Sequence, residues 1–92
     1  LHSSWIVKSD GTDIKIFLFN DMLMTCKLRK EKLKYIHRIY FDRLRITDLV
    51  DTLKFEIVDR AMEASTYIFE IENLQEKEEF IKSTRTLIKQ YY

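Results

Sequence analysis

The feature that most constrains this 92-residue chain is a change of hydrophobic period near residue 73. Before it, apolar side chains alternate with polar ones or run in short blocks, as half-buried strands require. After it, Leu74, Lys77, Phe80, Ile81, Thr84, Leu87, Ile88 and Tyr91 recur on the single stripe of an amphipathic helix. The pattern predicts about seven strands over residues 2–72. One helix over residues 74–91 follows them. Asn73 is placed to cap that helix, with Glu76 completing a capping box and Lys89 suiting the dipole at the far end.

The strand blocks are separated by short turn signals. Ser9–Asp13 reads as a turn in which Gly11 is free to take positive φ. Asn20-Asp21 makes a tight turn between Ile14–Phe19 and Met22–Leu28, and Arg29–Lys32 forms the next tip. Leu33, Tyr35, His37 and Ile39 then alternate with Lys34, Ile36, Arg38 and Tyr40. Trp5–Val7 at the start and Leu44–Ile46, Leu53–Ile57 and Tyr67–Ile71 complete the set, with a polar loop from Asp59 to Ser65. Short strands joined this way make an antiparallel barrel or sandwich. The apolar face of the helix must cover something, and the open end of the barrel is the target.

Composition excludes several classes. The length is that of one domain. One Gly and no Pro rule out collagen-like, low-complexity and Gly-rich phosphate-loop readings. A single Cys forms no internal disulfide, so a reducing, cytoplasmic compartment is expected. No apolar run approaches the roughly 18 residues of a membrane span. The start at Leu1 is read as the edge of a fragment cut from a longer protein.

Catalysis has no visible machinery. Cys26 lies mid-strand between Met24 and Leu28 and reads as a buried, inert thiol. His2 and His37 are the only imidazoles, and His37 reads as a packed or half-exposed strand residue. No zinc spacing is present. Neither an enzyme nor a metal or other cofactor is expected. Tyr35 and Tyr40 interleave with Lys34, Arg38, Arg43 and Arg45, which suits single-stranded nucleic acid. A sequence pI near 8.0 is low for a dedicated binder, so nucleic acid is not expected as a partner.

The net charge of +1 hides a strong asymmetry. From Lys27 to Arg45 the chain holds eight bases against two acids. Residues 46–92 hold six bases against ten acids. A basic middle and an acidic second half point to an anionic partner for one face.

Seven strands and one C-terminal helix in this order resemble a pleckstrin homology (PH) domain. Ile16-Phe17-Leu18-Phe19-Asn20-Asp21-Met22-Leu23-Met24 is similar to a hairpin of PH domains in Dbl-family Rho guanine nucleotide exchange factors. Tyr35–Ile46 resembles that family's fourth strand and the stretch after it. Phe55–Ile57, Tyr67–Phe69 and Glu76–Ile81 follow in the family's order. The resemblance covers nearly the whole chain. It implies a mostly β fold, a seven-stranded antiparallel PH-type barrel capped by one helix. It also implies an exchange (DH) domain on the N-terminal side and, through it, a Rho-family GTPase as partner.

Two departures from the family matter. Its helix usually carries a Trp where Phe80 stands, leaving a smaller ring at the barrel end and Trp5 as a candidate to fill space. Members that bind phosphoinositides carry a basic motif to which Lys8 and Lys15 correspond here. Asp13 occupies the motif's middle basic position, and a carboxylate there repels phosphate. Tight headgroup recognition is not expected.

Two function classes remain open. In the first, the domain places or regulates an exchange domain at membranes by weak attraction to anionic lipid. Lys27, Arg29, Lys30, Lys32 and Lys34 are then the contact residues, beside Lys8 and Lys15. Peripheral membrane association follows from that reading. In the second, the domain recognises a protein, a small GTPase or an intramolecular segment, with no lipid role. Phe17 and Phe19, on the face of the second strand opposite Ile14, Ile16 and Leu18, are its first candidates.

Overall fold

A computed structural model describes residues 3–61 and 65–92. His2, and Met62 to Ala64 of the predicted polar loop, lie outside the described residues. Seven strands run in order, β1 (Ser3–Ser9), β2 (Thr12–Leu18), β3 (Met22–Arg29), β4 (Lys32–Tyr40), β5 (Leu44–Asp48), β6 (Lys54–Asp59) and β7 (Ser65–Ile71). Helix α1 (Leu74–Tyr91) follows. The strands form one antiparallel sheet in the order β4-β3-β2-β1-β7-β6-β5, as a mostly β barrel with a helical cap requires.

Alternation decides what is inside. Trp5 and Val7 of β1 sit opposite Ile16 and Ile14 of β2, and all four are buried. Leu18 pairs with Leu23, and Phe55 with Phe69, to extend the same interior. Two of the three hairpin turns before the acidic half use left-handed residues, with different chemistry. Asp10 (φ 50°) and Gly11 (φ 77°) supply the left-handed pair that a tight β1–β2 hairpin needs. The β3–β4 hairpin puts Lys30 (φ 47°) and Glu31 (φ 66°) in the same region. Neither has glycine's freedom, and each such residue costs about 1–2 kcal/mol.

The fourth strand departs from the single face expected for Leu33, Tyr35, His37 and Ile39. Cys26 pairs with Tyr35 and Thr25 with His37, so Ile36 is an extra residue at a β-bulge. A bulge switches the side-chain phase. Beyond it His37 and Ile39 face inward, while Leu33 and Tyr35 lie on the outer face with Cys26 and Leu28. The reason is that plain alternation assumes an unbroken ladder.

The sheet is not closed by backbone pairing between β4 and β5. Phe41, 1% exposed, fills that corner. Its N–H donates to Asp21 O at 2.9 Å, and the Tyr92 hydroxyl donates to its carbonyl at 3.2 Å.

Helix α1 starts where Asn73 Oδ1 accepts the Glu76 N–H at 2.9 Å. Phe80 is fully buried and plugs the barrel end. The ring of Trp5 meets it edge-on at 4.9 Å, and Phe55 lies tilted against it at 4.7 Å. Trp5 thus fills space beside the smaller Phe80 ring. Ile81 and Leu87 are buried, and Ile88 is half-buried rather than fully covered because it lies near the C-terminal end of the stripe. Leu74 and Tyr91, at the two ends, overhang into solvent. Lys77 is 3% exposed, and its ammonium donates to the carbonyls of Leu49 and Thr52 and pairs with Asp48. That contact ties the β5–β6 connection to the helix.

Candidate functional site

The end of the barrel away from Phe80 carries the β1–β2 and β3–β4 hairpins. The seven cations proposed from sequence divide here into two groups. Lys8 and Lys15 lie on the outer face of β1 and β2, by alternation from buried Val7, Ile14 and Ile16. The other five lie on the β3–β4 hairpin.

Lys8 sits in a ladder of alternating charge. It is opposite Asp13 on one side and Glu70 on the other, and Glu70 is opposite Lys54. Lys8 Nζ stands 4.0 Å from Asp13 Oδ1, with both side chains largely exposed. Such a pair contributes about 0–1 kcal/mol of stability. Its effect on a ligand is larger, because the cleft beside it is lined by Lys8, Asp10, Gly11, Lys54, Ile68 and Glu70. Two cations against two carboxylates leave no net attraction for phosphate. Lys15 lies over the Phe17 ring, 5.3 Å from its centroid.

The hairpin is the opposite case. Lys27 is directly across from Lys34, and Arg29 across from Lys32. Lys30 occupies the turn. Like charges facing each other across strands are destabilising, and Glu31 is the only acid among residues 27–34. From Lys32 to Ile36 every residue of β4 is exposed on both faces, so this end stands clear of the barrel.

Phe17 and Phe19 are half-buried on the outer face. Phe17 is flanked in register by Ser4 and Met24, and Arg38 follows Met24. Nearby Ile6 and Tyr40 are exposed. Apolar side chains are therefore spread over the outer side of β1–β4, interrupted in register by Ser4, Lys15 and Arg38.

Sequence reasoning missed one cluster. Asp59, assigned to a loop, ends β6 and is 5% exposed. Its Oδ2 lies 2.9 Å from His37 Nε2, and its Oδ1 accepts the Ala61 N–H at 3.1 Å. Arg43 Nε stands 3.6 Å from Oδ1. The pair straps β4 to β6 where the sheet lacks a backbone ladder. No local signal marks it, since the partners are 22 residues apart. His37 also borders an apolar cleft of about 140 Å³ with Ile14, Ile36, Ile57 and Phe69. No Lys or Arg lines that cleft.

Cys26 is buried, and its loss of hydration pushes the thiol pKa up from the ordinary value. A protonated, covered thiol is a poor nucleophile. Among the described residues no three His, Cys, Asp or Glu side chains gather to hold a metal ion. No helix there is long and apolar enough to cross a membrane.

Comparison with known proteins agrees with this architecture. No curated protein sequence matches the chain. Among solved structures, the complex of PDZ-RhoGEF DH/PH domains with GTP-γ-S activated RhoA is similar at a TM-score of 0.83. The identity is 13% over 98% of this chain, which establishes a shared fold. The chain spans 29% of the length of the chain it matches there. The sequence profile of the SOS1/NGEF-like PH domain matches residues 2–87. The chain belongs to the SOS1/NGEF-like family of PH domains.

Proposed function

We propose that this domain is the non-catalytic PH module of a Rho-family exchange factor. In this reading it holds an adjacent exchange domain near anionic membranes, on the cytoplasmic side, through the β3–β4 hairpin. The observation that carries the reading is the local cost of that hairpin. Two like-charge pairs, Lys27/Lys34 and Arg29/Lys32, meet behind a turn made of two left-handed residues, Lys30 and Glu31. The turn serves the hairpin, but the like-charge pairs oppose it, and repulsion kept in a projecting element points to use. Each Lys or Arg near an acidic leaflet contributes about 1 kcal/mol of attraction. Five of them, less the repulsion of Glu31, give weak and reversible adsorption. Lipid contact falls on the hairpin because the carboxylates of Asp13 and Glu70 offset Lys8.

The exchange domain enters by analogy. The similar structure joins DH and PH domains and holds activated RhoA. A second reading, docking of protein on the outer sheet face, is favoured by the exposed Ile6 and Tyr40 and the half-buried Phe17 and Phe19 there. It suits the exchange domain or a Rho-family GTPase and is compatible with the first reading.

Co-sedimentation with vesicles mixing phosphatidylserine and phosphatidylcholine tests the proposal. Binding is expected at low salt and should fall steeply as the Debye length shrinks to about 8 Å at physiological strength. Absence of binding at low salt would remove the lipid reading and leave the protein-docking one.

A further inference from the structure

The same hairpin has a second face that charge alone does not explain. Leu28 is directly opposite Leu33, and Cys26 opposite Tyr35, on the side away from the Lys27/Lys34 pair. Leu33 is 48% exposed and Tyr35 54%, although nothing in the fold requires apolar groups in water there. The bulge at Ile36 produces this arrangement. By shifting the phase of β4 it turns Leu33 and Tyr35 away from the interior that His37 and Ile39 enter.

We propose that Leu28, Leu33 and Tyr35 insert into the interfacial zone of an anionic bilayer, so that the hairpin is a membrane-penetrating ribbon as well as a charged tip. The inference rests on the lipid reading above and deepens it. The occupant is set by charge. A patch backed by Lys27, Arg29, Lys32 and Lys34 on the opposite face of the ribbon, with Lys30 at its tip, matches a surface that is negative outside and apolar beneath.

The dimensions fit. A strand rises about 3.4 Å per residue, so Leu33 lies about 7 Å from the end of the turn at Glu31. Interfacial elements bury their apolar face about 5–10 Å deep. Tyr35 stands about 14 Å back, at the level where amphipathic rings meet headgroups. On an oblique approach the long stems of Arg29, Lys30 and Lys32 carry their charges out to the phosphates.

The test places a reporter at the apolar face. Leu33→Trp is a change at an exposed position, and Trp5, buried in the core, gives a constant background. With vesicles of phosphatidylserine and brominated-acyl phosphatidylcholine, the added emission should shift to the blue and be quenched. Arg29→Trp, on the opposite face, should be quenched less. The double variant Leu33→Ser, Tyr35→Ser should lose about tenfold in vesicle affinity at physiological salt, about 1.4 kcal/mol. Its low-salt binding should persist. Vesicle binding by Leu33→Trp without shift or quenching would overturn insertion and leave the electrostatic reading intact. Equal binding by the double variant at physiological salt would overturn it too. Failure of the unmodified protein to bind at low salt would overturn both. Dimerisation without vesicles, abolished by Leu33→Ser, would assign the patch to a second copy and also overturn it.

Discussion

Phe80→Ala probes the contact on which the barrel end depends. The ring is 0% exposed and meets Trp5 edge-on at 4.9 Å and Phe55 at 4.7 Å. Removing a buried Phe costs about 3–5 kcal/mol. Each aromatic pair adds about 0.5–1.5 kcal/mol beyond its buried area. Two such pairs place the loss in the upper half of the range, about 4–5 kcal/mol. A domain of this size is stable by roughly 5–15 kcal/mol, so the variant is left marginal. Urea unfolding followed by Trp5 emission reads the change at the site itself. Phe80→Trp, which introduces the residue usual in the family, should also destabilise, by about 1–3 kcal/mol, because Trp5 already occupies the space. Combining it with Trp5→Phe should recover most of that loss. A cost below about 1 kcal/mol for Phe80→Ala would refute the plug and its packing.

Three further outcomes follow from the site geometry. Asp59→Asn removes a buried carboxylate bonded to His37 and should cost about 1–3 kcal/mol in urea unfolding; an unchanged midpoint would mean the strap across β4 and β6 contributes nothing. Soluble inositol phosphates should bind no tighter than tens of micromolar, about −6 kcal/mol, in calorimetry. Asp13→Asn with Glu70→Gln should tighten that binding by freeing Lys8, and submicromolar affinity of the unmodified domain would place a phosphate site elsewhere. Cys26 should react with a thiol reagent at neutral pH far more slowly in the folded domain than in denaturant. Burial raises its pKa, so less thiolate is present below that value; equal rates would contradict its burial.

Much of the fold was legible because local spacing and burial agreed. Period 2 in Ile14–Leu18 and Phe55–Ile57 fixed which side chains enter the core, and period 3.6 after Asn73 fixed the helix and its cap. The site was legible in part. The cations of residues 27–34 were visible as a run, but their pairing across the hairpin depends on a register that only the ladder supplies. The bulge at Ile36 was hidden, since Leu33, Tyr35, His37 and Ile39 alternate in sequence as if on one face. Lys77 on the apolar stripe gave no hint of the Leu49 and Thr52 carbonyls that receive it. Asp59 was unreadable for the same reason, because its partner comes from another strand.

The central claim is that the β3–β4 hairpin carries the domain to anionic membrane. The most direct measurement compares the unmodified domain with Arg29→Glu/Lys30→Glu/Lys32→Glu in low-salt sedimentation with phosphatidylserine-containing vesicles. All three positions are exposed, so the variant keeps its core. Reversing three charges replaces about 1 kcal/mol of attraction per residue with repulsion. The account predicts that the unmodified domain sediments with the vesicles and the variant stays in solution. Equal sedimentation of the two would contradict it.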